Sequence, residues 1–317
     1  MNTKFFNGLW MLLATCTACQ QSDNESLVNN SLQMSIVASI GNQDNAPQSR
    51  YAGNDPSDVS FVEKDEIGLF IDDAPAVKWV YGSNGWASDH IVYWPDKTES
   101  HSFKAFYPYS ECSSVEAVPM PSLLGQTGTI ASISKCDFLF ASVSQEYGMD
   151  GVVNFQTENS FKHVSSLVQL TVKGDGDLSE STITKIAIKG TDIVAPSTFS
   201  FADESVTLEE SEESDALNVD LAHEMDGNDA VFYLIVNEIK EESDAVITLS
   251  IEYSTGEKTY VAELENFANN VFTGGMCHRI TVTIKDSALI ISGSSISPWT
   301  EGESLGDVVV NGTETTE

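Results

Sequence analysis

Residues 280–285 read Ile-Thr-Val-Thr-Ile-Lys (ITVTIK), and this stretch decides the fold class. Ile280, Val282 and Ile284 alternate with polar neighbours, so every apolar side chain of the segment lies on one face of a strand. The same period of two recurs at residues 31–40, 67–71, 78–81, 91–94, 103–107, 137–140, 152–155, 167–172, 183–188, 231–236, 245–253, 259–264 and 288–291. No long stretch has the 3.6-residue period of an amphipathic helix. Many short strands between turn residues predict an all-β chain of β-sandwiches.

The length of the chain predicts more than one domain. At 317 residues it is about twice as long as a typical single domain and can bury two cores. A polar stretch at 157–160 interrupts the strands. We therefore expect an N-terminal β-sandwich domain over residues 31–160 and a C-terminal β-sandwich domain with a short tail over residues 161–317. The acidic stretch 203–215 is expected to form a solvated loop or a charged edge strand.

The N-terminus has the pattern of a lipoprotein leader. Lys4 precedes an apolar run at 5–15 that is too short to span a bilayer. Ala18 is a small residue directly before Cys19, as a lipoprotein signal peptidase requires, and it suits cleavage better than Thr15 before Cys16. We predict a signal peptide at 1–18, lipidation of Cys19 and an acylated tether at 19–30. The alternative is an ordinary secretory signal with two incidental cysteines.

The charge of the chain excludes some partners. With 48 Asp and Glu against 15 Lys and Arg, the formal net charge is −33, which repels phosphate backbones and anionic headgroups. No nucleic-acid partner is expected. Beyond the lipidated Cys19 only Cys112, Cys136 and Cys277 follow, an odd number without metal-type spacing, so we expect small buried side chains and no disulfide scaffold.

No set of residues assembles into a catalytic site. The chain lacks a Gly-x-Ser-x-Gly elbow, and its five histidines stand apart without metal-type pairing. Residues 173–177 (KGDGD) could hold calcium, but the further ligands of a calcium loop are absent, and a plain turn is favoured. The sequence therefore predicts no enzyme, no catalytic residues, no metal and no cofactor.

Aromatic residues are concentrated in the first half of the chain. They could fill a sandwich core, or Trp79 and Trp86 could form an exposed platform that stacks on glycans, because flat rings match sugar faces. Core filling is favoured, and the platform remains the alternative.

Motifs spread along the chain resemble the fimbrillin family of type V pilins and related surface lipoproteins of Bacteroides-type bacteria. They lie at 66–70 (EIGLF), 93–95 (YWP), 103–109 (FKAFYPY), 161–164 (FKHV), 272–275 (FTGG) and 296–299 (ISPW), with Trp86 between the first two. The resemblance implies two tandem transthyretin-like β-sandwich domains. It also implies export to the surface of the outer membrane, with anchoring through the N-terminal lipid and polymerisation with other pilin subunits. The acidic residues after Cys19 resemble the export tag of such lipoproteins.

The family likeness also implies a processing site and a strand exchange. In such pilins a trypsin-like protease cuts near the N-terminus, and here Arg50 before Tyr51 is the only Lys or Arg between Lys4 and Lys64. The first strand, with Leu32, Met34, Ile36, Ala38 and Ile40, would then leave. The donor strand of a neighbouring subunit would contribute Leu305, Val308 and Val310. The alternative function is a monomeric surface adhesin that binds a host protein or a host or dietary glycan.

Overall fold

A computed structural model describes residues 32–41, 59–174, 178, 180–209, 214–239, 246–253, 255–263, 272–285 and 288–299. The strands before residue 165 are β1 (Ser35–Ala38), β2 (Glu66–Ile71), β3 (Val77–Gly82), β4 (Gly85–Ala87), β5 (Ser100–Tyr107), β6 (Val118–Pro119), β7 (Leu139–Glu146), β8 (Val152–Phe155) and β9 (Lys162–His163). One helical turn, α1 (Ile130–Ile133), and one 3-10 turn (Thr157–Asn159) accompany them.

The later strands are β10 (Ser166–Val172), β11 (Thr182–Lys189), β12 (Ser197–Ser200), β13 (Ser205–Leu208), β14 (Ala216–Glu224), β15 (Ala230–Val236), β16 (Val246–Tyr253), β17 (Gly256–Glu263), β18 (Met276–Lys285) and β19 (Ala288–Pro298). The chain is thus nearly all β, as the period of two predicts. Within the described ranges, no helix has the length and apolar character needed to cross a membrane.

A six-stranded sheet in the order β4-β3-β2-β5-β7-β9 organises the first half. Successive side chains of a strand point to opposite sides of the sheet. The central strands carry apolar residues at successive positions, so both faces of this sheet are apolar. On β5, Phe103 and Ala105 join one buried cluster while Phe106 joins another. A sheet with two buried faces needs a cover on each.

Different segments supply the two covers. The two-stranded sheet β1-β8 contributes Met34, Ile36 and Val153 to the cluster that contains Phe103. The three-stranded sheet β13-β12-β6 contributes Phe199 to the cluster that contains Phe106. Strand β12 pairs with β6, so strand pairing crosses the expected join near residue 160. The division into two domains at that point stays a prediction.

The second half is built from two four-stranded sheets, β15-β10-β18-β19 and β14-β11-β16-β17. Within the first, β10 runs parallel to β18, while the remaining pairs in both sheets are antiparallel. Apolar side chains of both sheets, among them Leu170, Ile186, Val219 and Ile280, share one buried cluster. The β-sandwich architecture is therefore confirmed.

Two local expectations meet different outcomes. Residues 91–94 were expected to form a strand, but they contribute only an isolated bridge between Tyr93 and Gln33. Pro95 follows without a backbone donor, and the indole N–H of Trp94 donates to the Gly151 carbonyl, which fixes this segment as a loop. The acidic stretch includes β13, which lies at the edge of its sheet.

Three cysteines lie within the described residues, and none of them forms a disulfide with another described cysteine. Cys136 and Cys277 are buried and Cys112 is partly buried. Burial raises the pKa of the Cys136 thiol to about 11, so this group stays protonated at neutral pH and behaves as a small apolar side chain.

Candidate strand-exchange site and adjoining cavity

Strand β1 is short and has few sheet partners. It runs parallel to β8, with Ile36 opposite Val153 and Ala38 opposite Phe155. On its other side the Met34 amide donates to the Val92 carbonyl at 2.8 Å, and the contact there is with a loop. Four residues of parallel pairing form a weak ladder. The backbone pairing continues just past β1, where the Ser39 amide donates to the Phe155 carbonyl and the Gly41 amide donates to the Phe161 carbonyl, both at 2.9 Å.

The side chains of β1 alternate between core and solvent. Met34, Ile36 and Ile40 are buried, whereas Val37 is 36% exposed. Leu32 and Ala38 pack against the same core while partly buried. Burying one such side chain contributes roughly 1.5–3 kcal/mol, so this apolar face helps to attach the strand.

Aromatic residues adjoin the β1 segment, since Phe155 lies opposite Ala38 in the β1-β8 register and Phe161 forms a bridge with Ile40. Phe161 forms edge contacts with Phe61 at a centroid distance of 5.0 Å and with Phe155 at 5.8 Å. Both Phe155 and Phe161 are fully buried. If β1 were absent, these rings and the backbone groups of β8 would face an open apolar groove.

In the sequence, β1 precedes every other described element of the fold. Residues 32–41 are the only described residues before position 59. Arg50 and Tyr51 lie between these two ranges and outside the described residues, as do Cys19, Leu305, Val308 and Val310. A cut after Arg50 would thus detach β1 and leave every other described element in one chain.

The two tryptophans are buried, in line with the favoured interpretation that they fill a core and against the alternative of an exposed platform. Trp79 is 3% exposed and Trp86 is 8% exposed, and Trp86 packs edge-on against Phe61 at 5.0 Å. The structure thus corrects the geometry of the platform, because rings that fill a core leave their faces covered. The indole N–H groups of Trp79 and Trp86 have no acceptor among the described residues.

A small cavity adjoins these rings and β1. Its volume is about 280 Å³, and its wall includes Trp79 and Trp86, residues 33–35, and residues 87–92. The side chains of Gln33 and Asp89 are exposed, whereas Met34 is buried. Strand β1 therefore forms one wall of the cavity.

Asp89 carries the charge at this cavity. Its carboxylate lies 2.8 Å from Nδ1 of His90. This hydrogen bond lowers the pKa of Asp89 below its usual range, so the carboxylate is ionised at neutral pH. Among the described residues, no group of three or more His, Cys, Asp or Glu side chains could hold a metal ion. The cavity therefore offers a fixed acceptor.

A family model described as fimbrillin-like matches residues 46–299. The chain belongs to the fimbrillin-like family. The resemblance inferred from the dispersed motifs is thereby confirmed. Membership supports a role as a subunit of a cell-surface fimbria, in keeping with the expectation of a structural protein. No curated protein matches the sequence.

Solved structures share the fold of this fimbrillin-like chain. A Bacteroides uniformis protein assigned to cell adhesion matches with a TM-score of 0.60 at 17% identity, covering 85% of this chain and 99% of its own. A Bacteroides ovatus protein with the same assignment has a TM-score of 0.58 at 16% identity and covers 86% of this chain and 99% of its own. At such identities the likeness shows the fold alone.

Sequence reasoning found the strand of this fimbrillin-like chain but missed the cavity. The alternation at 31–40 picked out Met34, Ile36 and Ile40, which the structure places in the core. Gln33 and Asp89 were not singled out, because an isolated polar residue next to a strand carries no pattern. The pairing of Gln33 with Tyr93 and the backbone bonds beside it bring the two segments together.

Proposed function

We propose that the chain is a structural subunit of a surface fimbria and joins its neighbours by β-strand exchange. The observation that carries the proposal is β1, an apolar strand with one short parallel ladder next to buried aromatic residues. Removing it would expose an acceptor groove along β8. A strand from a second subunit that presents apolar side chains at alternate positions would fit there.

Export and processing complete the proposal. Lipidation of Cys19 would hold the precursor on the outer membrane, and a protease cut after Arg50 would release β1 together with the lipid. The tail, with Leu305, Val308 and Val310, would supply the donor strand. Subunits assembled in this way would be linked by main-chain hydrogen bonds and buried apolar side chains. Two tandem domains, divided near residue 160, belong to the same proposal.

Mass spectrometry of the mature N-terminus tests the processing step. Wild-type protein from cells should begin at Tyr51, and the Arg50→Ala variant should begin at an acylated Cys19. Arg50→Lys is the matched control, because a trypsin-like protease accepts either basic residue. If wild type and Arg50→Ala have the same N-terminus, cleavage after Arg50 does not occur.

A disulfide lock tests the strand exchange itself. Val37 and Asn154 are opposite each other in the β1-β8 register, and both side chains are exposed. Neighbouring Cα atoms in a sheet lie within the range that a disulfide spans. Cysteines at both positions, in a Cys112→Ser background, should hold β1 in place. Oxidised protein should then fail to form detergent-resistant ladders, and reduction should restore them.

The single variant Val37→Cys is the control for this lock, since it cannot close the disulfide. It should form ladders under both oxidising and reducing conditions. Equal ladders from the oxidised double variant would show that β1 stays in place during assembly, which contradicts the exchange.

Glycan binding by a surface adhesin is the second candidate function, and the cavity beside Trp79 and Trp86 is the observation that favours it. Its test is binding of the whole protein to a broad glycan array. An unrelated β-sandwich domain serves as the blank. A signal above that of the blank supports an adhesin role. Silence on the array counts against it.

A further inference from the structure

Two buried polar groups of residues beside the cavity lack a hydrogen-bond partner. The indole N–H groups of Trp79 and Trp86 are buried without an acceptor in the part of the chain that the structure describes. Buried polar groups in proteins normally have partners. Both residues form part of the cavity wall. Their nitrogens have negligible accessible surface, so an acceptor would reach them after a small shift of the wall.

The rim adds groups that suit hydroxyls. The Asp89 carboxylate can only accept hydrogen bonds, whereas the Gln33 amide can donate and accept. Ser88 also lines the cavity. An apolar aromatic wall with a few polar groups is the usual composition of a small-molecule site.

The charge and the volume of the cavity restrict the chemical class of the ligand further. None of the described residues that line the cavity is Lys or Arg, and the chain has a net charge of −33. An anionic ligand would therefore be repelled by Asp89 and by the field of the protein. A cavity of about 280 Å³ is at the lower end for small-molecule sites, roughly 300–1,000 Å³. This volume suits one ring with hydroxyl groups.

We propose that the cavity between β1 and residues 87–92 binds a single neutral sugar ring, with Asp89 and Gln33 holding its hydroxyl groups. The inference rests on the glycan-binding function considered above and assigns its site and ligand class. The sugar lies against the Trp79 and Trp86 wall, and after a small shift of this wall its ring oxygen and a hydroxyl oxygen accept from the unpaired indole N–H groups.

Residues 33–35 form one wall of this site, and this links it to β1. This wall of the cavity exists only while residues 33–35 and β1 remain in place beside β8. A bound sugar therefore favours the form that retains β1, because a ligand stabilises the state to which it binds. Ligand binding and loss of the first strand oppose each other.

The test uses the full chain carrying Arg50→Ala, which keeps β1 in place. D-galactose, D-glucose, L-fucose and N-acetyl-D-glucosamine are titrated by saturation-transfer NMR and calorimetry, with N-acetylneuraminic acid as the anionic comparison. At least one neutral sugar should bind. Asp89→Ala and Gln33→Ala should each weaken that binding at least tenfold, and neither should alter the fold, because both side chains are exposed.

Asp220→Asn is the matched control. Asp220 is exposed on β14. Its replacement by Asn removes the same charge and should leave sugar binding unchanged. Binding that survives both cavity variants overturns the site while leaving the glycan-binding function intact. Absence of binding to every neutral sugar, together with a silent glycan array, overturns both. Tighter binding of N-acetylneuraminic acid than of any neutral sugar overturns the ligand class.

Discussion

The imidazole of His163 lies flat against the indole of Trp299, with ring centroids 3.9 Å apart and an interplanar angle of 11°. His163 belongs to β9 of the six-stranded sheet, whereas Trp299 directly follows β19. Nδ1 of His163 also lies 2.9 Å from the Asp137 carboxylate. The contact fixes the end of the last described strand against the first sheet. The proposed donor, with Leu305, Val308 and Val310, follows this fixed point in the chain.

Trp299→Ala should destabilise the protein strongly. Trp299 is 1% exposed, and replacing a buried Trp by Ala typically costs about 3–5 kcal/mol. Trp299→Phe keeps an aromatic ring next to His163 and should lose less. Urea unfolding measures both free energies. A cost below about 1 kcal/mol for Trp299→Ala would show that the stacked pair contributes little to stability.

Gln126 acts as an extra strand residue beside β15, and Gln126→Ala should expose this role. Its Oε1 accepts from the Ile235 amide, and its Nε2 donates to the Ile235 carbonyl, both at 2.7 Å. Ala leaves both buried backbone groups without this partner, at about 1–3 kcal/mol for each unsatisfied group. Chemical denaturation at neutral pH gives the loss.

Gln145→Ala is the control for that prediction. Gln145 makes a similar pair of bonds, to the Val152 carbonyl at 2.7 Å and from the Asn154 amide at 3.2 Å, but it is only half-buried. Water replaces it there, so its loss should cost less than about 1 kcal/mol. Equal costs at the two sites would mean that burial does not decide the effect.

Gly68→Ala should strain the six-stranded sheet. Gly68 lies opposite Phe106 in the β2-β5 register, and a Cβ there would approach the Phe106 ring to 2.3 Å. Overpacking of this kind costs about 1–3 kcal/mol. Gly82→Ala, whose nearest atom would lie at 3.9 Å, should be close to neutral. Adding Phe106→Leu to Gly68→Ala should cost less than the sum of the single losses, as a double-mutant cycle would measure.

His278 makes stability depend on pH. Burial lowers its pKa from 6.5 to about 4, and its Nε2 accepts a hydrogen bond from the Thr273 amide at 2.9 Å. The unfolded chain thus binds a proton more readily, so the contribution is present above pH 6.5 and is lost as the pH falls through 4. The expected loss is on the order of 3 kcal/mol. His278→Gln should flatten this part of the unfolding curve measured from pH 7 to pH 4.

His101 should contribute with the opposite sign. Burial alone would lower its pKa, but Asp72, 2.8 Å from its Nδ1, and Asp96 outweigh burial and raise the pKa above 6.5. This stabilisation is complete below pH 6.5 and is lost as the pH rises through the folded pKa. An NMR titration of the His101 ring measures that value. A midpoint below 6.5 would contradict the assigned role of Asp72.

Local patterns predicted the strands because side-chain alternation is a property of each segment. Met34, Ile36 and Ile40 were assigned to one face from their spacing, and the structure buries all three. Sequence reasoning also favoured core positions for Trp79 and Trp86, which are buried, but it left an exposed platform open as the alternative. Both faces of the central sheet are covered, so an aromatic residue on either side becomes core.

The amino-acid sequence by itself determined the all-β class, the family and the inward face of β1, because these follow from local periodicity and from motifs along the chain. The tertiary structure alone decided that β1 runs beside β8, that Phe199 covers the sheet of Phe106, and that Gln33 meets Asp89 at one cavity. Such contacts join segments far apart in the chain. Their register depends on the packing of both partners, and no single stretch encodes it.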